Sequence, residues 1–262
     1  LGIDVVTALI AVIPLLFIAI PQPEAAPAAP GTTGIALVWH DFKAGWRYMF
    51  AWPGLVMIAA MATLINLMLT PAFSLLPILV TKHFDGGAIH LAWLESMYGI
   101  GVIAGGVTLG VWGGFKRRIL TTLFGLLGIG VGSLLLGFTP AAVFPLAVGA
   151  LFWLGFVNPI TNGPLMAAVQ AVVEPEMQGR VFTLIGSFAS AMTPLGLLAA
   201  GPIADRFGVP IWFVIGGVVT LALCVLLVPR FGIVGAAVAG LAGMSQAAVF
   251  ELWAHREAQS RF

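Results

Sequence analysis

Asn158, Asn162 and Gln170 stand in one long apolar run, residues 141–172, together with Pro159 and Pro164. Asn158 and Asn162 are one helical turn apart and share a face, with Gln170 near it two turns on. Amides in an apolar helix have two uses. They hydrogen-bond to a neighbouring helix, or they line a polar cavity beside a distorted helix. Thr63, Asn66, Thr70 and Ser74 form a second polar stripe in residues 54–81, a run interrupted by Pro71 and Pro77. The same two readings apply there, and the prolines permit a bent or broken helix. Glu95 follows Trp93 near the start of the run 92–114. At the membrane interface it would be inert; facing other helices it would be the best proton-carrying carboxylate in the chain. A membrane-embedded enzyme is not expected. It would need a His/Asp or Ser/Lys pair within the apolar runs, and His40, His83, His90 and His255 all fall in loops or the tail; His83 and His90 read as solvated. The single cysteine, Cys224, excludes a cysteine metal cluster and an internal disulfide. No metal or other cofactor is expected.

These polar residues are islands in a chain that is 60% hydrophobic and only 8% charged, with mean hydropathy +1.09. Soluble domains carry about 25% charged residues. The apolar runs are continuous rather than alternating, which argues for helices and against a β-barrel. The fold class is therefore all-α membrane protein, with the lipid bilayer as its first partner. A net charge of +1 gives no field for nucleic acid. Seven runs are long enough to span: residues 1–20, 54–81, 92–114, 119–138, 141–172, 181–204 and 211–229. Asp4 reads as an interfacial carboxylate. Because Leu1 enters an apolar helix at once, the chain reads as a piece whose N-terminal part is missing.

Between the spans, residues 21–34 are rich in Pro, Ala and Gly and read as a linker. Trp39, Phe42, Trp46, Met49 and Phe50 recur at helical spacing within 35–52, the pattern of an amphipathic helix at the membrane surface. Polar turns are expected at 82–91, 115–118, 138–140, 173–180 and 205–210. In the charged loop 173–180, Glu176 and Arg180 have i, i+4 pairing distance. Residues 231–262 read as a tail, either a further span or a surface helix. Alternating the ends puts Lys43, Arg47, Lys116, Arg117, Arg118, Arg180 and Arg230 on one side, against Lys82 and Arg206 on the other. The richer side is expected to be cytoplasmic. Gly101–Gly105, Gly106–Gly110, Gly110–Gly114 and Gly128–Gly132 are spaced for close helix contact. The six spans from 54 to 229 fall into two sets of three, each opening with a proline-interrupted, amide-bearing span. That is the pointer to a transporter with internal repeats.

Three stretches add a family resemblance: DFKAGWRYMFAWPGL; then WLES, YGIG and VWGGFKRR; then NGPLMAAVQAVVEPEMQGRVFTL with MTPLG and GPIADRFGV. Residues 1–230 resemble the C-terminal half of a major facilitator superfamily transporter. The likeness is greatest to the drug:proton antiporter branch that includes bacterial macrolide efflux proteins and enterobactin exporters. The resemblance implies twelve helices in two six-helix bundles, with substrate bound between them, in a bacterial cell membrane. Residues 1–20 would be the last helix of the first bundle, 21–52 a cytoplasmic linker, 53–230 the second bundle and 231–262 a tail. The missing N-terminal half becomes a partner. The implied activity is proton-coupled efflux of amphiphilic small molecules of macrolide, drug or siderophore type. Asn66, Thr70, Asn158, Asn162 and Gln170 would line the cavity and Glu95 would carry the proton. GPIADRFG also fits the family's G-x-x-x-D-R-x-G signature at Gly201, Asp205, Arg206 and Gly208, with Val209 and Pro210 where a basic pair is usual. Its place on the outer side favours a local Asp205–Arg206 helix-end lock over a gate. Two rivals stand beside this reading. The segment GIVGAAVAGLAGMSQ is similar to glycine-alanine repeats of polysaccharide flippases, which would suit a lipid-linked or polysaccharide flippase. The other is a non-transporting half-unit.

Overall fold

A computed structural model describes residues 34–225. The expected span at 1–20, residues 21–33 of the linker and the tail lie outside the described residues. Helices follow one another along the chain: α1 (Gly34–Ala51), α2 (Pro53–Ser74), α3 (Leu76–Lys82), α4 (Ala88–Trp112), α5 (Arg118–Gly137), α6 (Phe144–Val172) and α7 (Pro175–Phe207), then the shorter apolar α8 (Pro210–Val225). No strand occurs among the described residues. Five of the helices, α2 and α4 to α7, are long and apolar enough to cross a membrane. A unit boundary falls between Asp41 and Phe42, and every helix from α2 onward belongs to the second unit.

The closest packing is backbone against backbone. A Cβ on Gly101 or Gly105 of α4 would run into the carbonyl oxygens of Phe152 and Phe156 of α6, and one on Gly155 would run into that of Tyr98. Only glycine lets two helices come this near, and in lipid such contact replaces the hydrophobic drive that water supplies elsewhere. Gly125, Gly128 and Gly132 of α5 meet Thr161, Val157 and Leu154 of α6. The order of these contacts makes α4 and α6 parallel and α5 antiparallel to both. Gly130 meets Gly217 and Leu221, which brings α8 against α5. Two indoles tie further pairs: Trp153 Nε1 donates to the Gly128 carbonyl and Trp212 Nε1 to the Met68 carbonyl, each at 2.9 Å. The expected glycine pairs divide accordingly. Gly101–Gly105 and Gly128–Gly132 are seams, whereas Gly106 and Gly110 have open space where a Cβ would go.

The expected break in residues 54–81 is present. α2 ends at Ser74, α3 starts at Leu76, and Leu75 between them has φ −85° and ψ −4°. Pro71 lies inside α2 and Pro77 in the first turn of α3, where a missing N–H costs nothing.

Three expected loops are shorter than the sequence suggests; residues 205–210 shrink to Gly208 and Val209, because α7 runs to Phe207 and α8 opens at Pro210. Residues 173–180 shrink to Val173 and Glu174, because Pro175 opens α7 and Glu176 complements its first turn. Gln178 Nε2 donates to the Gln170 and Val173 carbonyls at 3.0 and 3.1 Å, which caps the end of α6. Residues 82–91 shrink likewise, since α4 begins at Ala88. His83 and His90 are therefore not idle loop residues. His83 Nε2 donates to the Thr139 carbonyl at 2.9 Å. His90 Nδ1 accepts the Gly87 N–H at 3.3 Å, and its ring packs edge-on against Phe144.

α1 is helical, but Met49 does not share a face with the aromatics as its spacing suggests. Met49 is buried with Val169, Val173, Val181 and Ile185, while Phe42, Trp46 and Phe50 are exposed. Gly45 sits over Arg180 and Leu184 of α7. Tyr48 Oη accepts the Glu174 N–H at 3.3 Å. Burial raises the Tyr48 pKa above its ordinary value; the Glu174 N–H bond opposes the shift and the Glu174 charge adds to it. A raised folded value means that this contribution to stability holds below the ordinary pKa and is lost only as pH climbs past it.

The glycine seam makes a direct prediction. Gly105→Ala should destabilise the protein by about 1–3 kcal/mol through overpacking. Gly106→Ala, one residue on and facing open space, should leave stability unchanged or raise it by up to about 1 kcal/mol. Thermal unfolding in detergent compares the two.

Candidate functional site

The stripe on α2 is laced within its own helix. Asn66 Nδ2 donates to the Ala62 carbonyl at 2.8 Å, Thr70 Oγ1 to Asn66 Oδ1 at 3.4 Å, and Ser74 Oγ to the Thr70 carbonyl at 3.0 Å. The interhelical reading of this stripe is not realised in these bonds. Asn66 and Thr70 are half-buried. On α6, Asn158 is half-buried, and Asn162 and Gln170 are exposed. Asn162 Nδ2 donates back to the Asn158 carbonyl at 3.2 Å. These amides stay outside the seams because Leu154, Gly155, Val157, Ile160 and Thr161 occupy the packed faces of α6.

A polar stripe that the sequence reading passed over lies on α7. Thr183, Ser187 and Ser190 are all exposed, at i, i+4 and i+7. The signal was present in the sequence as three hydroxyls at helical spacing in the first half of an apolar run. Thr183 Oγ1 donates to the Gly179 carbonyl at 2.7 Å. α5 shows the opposite. Beyond Arg118 in its first turn, its exposed residues, Leu120, Phe124, Leu127, Val131 and Leu135, are all apolar. Beyond its first turn α5 exposes only hydrocarbon, whereas α6 and the first half of α7 add amides and hydroxyls, which hydrocarbon disfavours, to a surface that also exposes Leu146, Trp153 and Met166 on α6 and Leu195, Leu197 and Leu198 further along α7.

Contacts place these groups by height. Arg118 Nη1 donates to the Ala167 carbonyl at 3.0 Å, and Tyr48 meets Glu174, so the starts of α5 and α7 and the end of α6 share one end of the bundle. His83 and Thr139 mark the opposite end. Gly196 of α7 packs on Leu67 and Pro71 of α2, which sets Asn66 about level with Thr193. Gly105 is level with residues 156–159 of α6. Glu95 is therefore ten residues, about 15 Å, nearer the opposite end than Asn158. It is exposed, and the structure does not bring it together with the amides. Asp205 is also far from them. With Lys82 and His83 it lines a cavity of about 350 Å³ at the opposite end, and it forms no ion pair with Arg206 among the described residues. Among the described residues no group of three or more His, Cys, Asp or Glu is placed to hold a metal ion.

Comparison with known proteins completes the site's context. Residues 1–197 match the sequence profile of the Major Facilitator Superfamily. The chain belongs to that superfamily. Within it, the chain is 31% identical over 175 residues to Macrolide efflux protein A of Streptococcus pyogenes, covering 67% of this chain and 43% of that protein. It is 28% identical over 197 residues to the Enterococcus faecalis protein of the same name, covering 75% and 60% of the two chains. The Multidrug efflux pump Tap of Mycolicibacterium fortuitum is 30% identical over 135 residues, covering 50% of this chain and 32% of the pump. The aligned region thus spans less than half the length of the Streptococcus relative. Superfamily membership and the five long apolar helices make this an all-α, multi-pass cell-membrane protein.

The sorted surface can be tested without transport. Phe124→Asn on α5 places an amide in hydrocarbon and should cost about 1–3 kcal/mol. Ser187→Asn on α7 should remain within about 0.5 kcal/mol. Thermal stability in lipid nanodiscs measures both.

Proposed function

We propose that this chain forms the second half of an efflux transporter for amphiphilic small molecules of macrolide or drug type. The observation that carries the reading is the set of uncharged polar residues exposed on α6 and the first half of α7, in a bundle whose α5 is apolar on its exposed side beyond Arg118. Asn158, Asn162 and Gln170 would line the substrate path with Asn66 and Thr70, and Thr183, Ser187 and Ser190 would extend it. Amides and hydroxyls between apolar walls suit a bulky neutral or weakly charged molecule. None of these stripes carries Lys or Arg, which makes them a poor match for a polyanionic siderophore. Names of the relatives support efflux of this kind. Residues 53–230 would be the second bundle and the basic end its cytoplasmic side, in keeping with the positive-inside rule.

Proton coupling is assigned to Glu95, an exposed carboxylate in an apolar helix. Its separation from the amides suits coupling through movement of the halves rather than direct exchange with substrate. The whole reading frame containing this chain, expressed in a host lacking its own pumps, provides the test. Asn158→Ala with Asn162→Ala should raise macrolide accumulation several-fold at unchanged protein level; unchanged accumulation would remove these residues from the path. Glu95→Gln should abolish export driven by a pH gradient while leaving binding of a fluorescent substrate within about two-fold. Gradient-driven export that survives the substitution would assign the proton elsewhere.

A further inference from the structure

One end of the second unit is strongly basic. Between residues 42 and 225 it holds Lys43, Arg47, Lys116, Arg117, Arg118 and Arg180, against Glu174 and Glu176. At this end α1 is held on the bundle by Gly45, Met49 and Tyr48. The next sector of α1 presents a column of exposed rings. Phe42 and Trp46 have centroids 5.8 Å apart, Trp46 and Phe50 4.6 Å apart, and Trp46 also meets Phe188 of α7 at 5.8 Å. At 100° per residue, Lys43 and Arg47 stand on the flank of this column away from Gly45 and Met49. Both are exposed. The helix thus has three sectors in sequence: protein-facing, aromatic and cationic.

We propose that the Phe42–Trp46–Phe50 face of α1, with Lys43 and Arg47 along its edge, docks into the headgroup layer of an anionic lipid leaflet. Charge complementarity selects this occupant. Aromatic rings favour the headgroup boundary, and neighbouring cations gain there from anionic phosphates. A helix fixed to the bundle cannot turn these rings inward, because Gly45 and Met49 already occupy the packed side. The inference does not depend on what the chain transports. Docking would set the height of α1, and through Tyr48 and Glu174 the height of the α6–α7 turn, against the membrane surface.

Quenching by brominated lipid tests it. The whole chain is reconstituted in vesicles of phosphatidylcholine and phosphatidylglycerol, with bromine near the headgroup end of one lipid or of the other. The chain has eight tryptophans, so the Trp46 signal is taken as the difference from Trp46→Phe. Brominated phosphatidylglycerol should quench that signal at least about two-fold more than brominated phosphatidylcholine at equal mole fraction. The preference should vanish at high salt and in the double variant Lys43→Gln with Arg47→Gln, which alters only exposed positions. Equal quenching by the two lipids would overturn the anionic preference, as would a preference that survives the double variant. No quenching by either lipid would show that protein covers the face.

Discussion

Hydrocarbon gives apolar side chains no reason to leave lipid for protein, so a membrane bundle must find another source of cohesion. Here it is the approach of backbones where Gly101 and Gly105 of α4 lie on the carbonyls of Phe152 and Phe156, with Gly155 answering from α6. At that distance dispersion contacts are dense and peptide dipoles lie close. The rest of the second unit follows from this seam. α6 must turn its glycine face to α4 and its Val157–Thr161 face to α5. The remaining sector is the one that carries Asn162 and Gln170, and it is left facing outward. Packing, rather than any attraction between the amides, orients the polar face.

Polarity then sorts what packing leaves exposed. A surface residue on a soluble protein is free to be polar anywhere. In a bilayer an exposed amide belongs beside water or another protein, and an exposed leucine beside acyl chains. α5 beyond its first turn exposes only apolar residues, and α7 changes along its length, from hydroxyls at 183, 187 and 190 to exposed Leu195, Leu197 and Leu198. Prolines add local adjustment without breaking the pattern. Pro159 and Pro164 remain inside a continuous α6, and only residues 71–77 yield a true break, at Leu75. Tryptophan donors at 153 and 212 reach across to carbonyls of α5 and α2, which keeps polar backbone groups satisfied between helices.

Much of this was legible before any coordinates. Run length placed the five long apolar helices, because the hydrocarbon core demands about twenty apolar residues. Glycine spacing located two real seams, at 101–105 and 128–132. It could not tell them from Gly106–Gly110, because spacing says nothing about which side of a helix has a partner. The same blindness joined Met49 to the aromatics of α1, although it stands about 60° round the helix from Trp46, on the neighbouring edge that the bundle covers. Charge alone overestimates turn length: residues 175–180 and 88–91 open helices, where charged and polar residues also meet water. The amides of α6 stood out by their rarity. Hydroxyls on α7 did not, since serine and threonine in apolar helices usually satisfy themselves on the preceding turn, as Thr183 does. Their significance appears only once α5 beyond its first turn is seen to expose no polar residue.

Thiol accessibility addresses the central claim most directly. Single cysteines at Asn162 and Ser187, and at Leu127 and Val131 as lipid-facing references, would be introduced with Cys224 replaced by serine, and labelled in membranes by a small charged maleimide. A water-lined path predicts rapid labelling at residues 162 and 187 and little at 127 and 131. Equally slow labelling at all four would contradict it, because the polar face of α6 and α7 would then be closed to water.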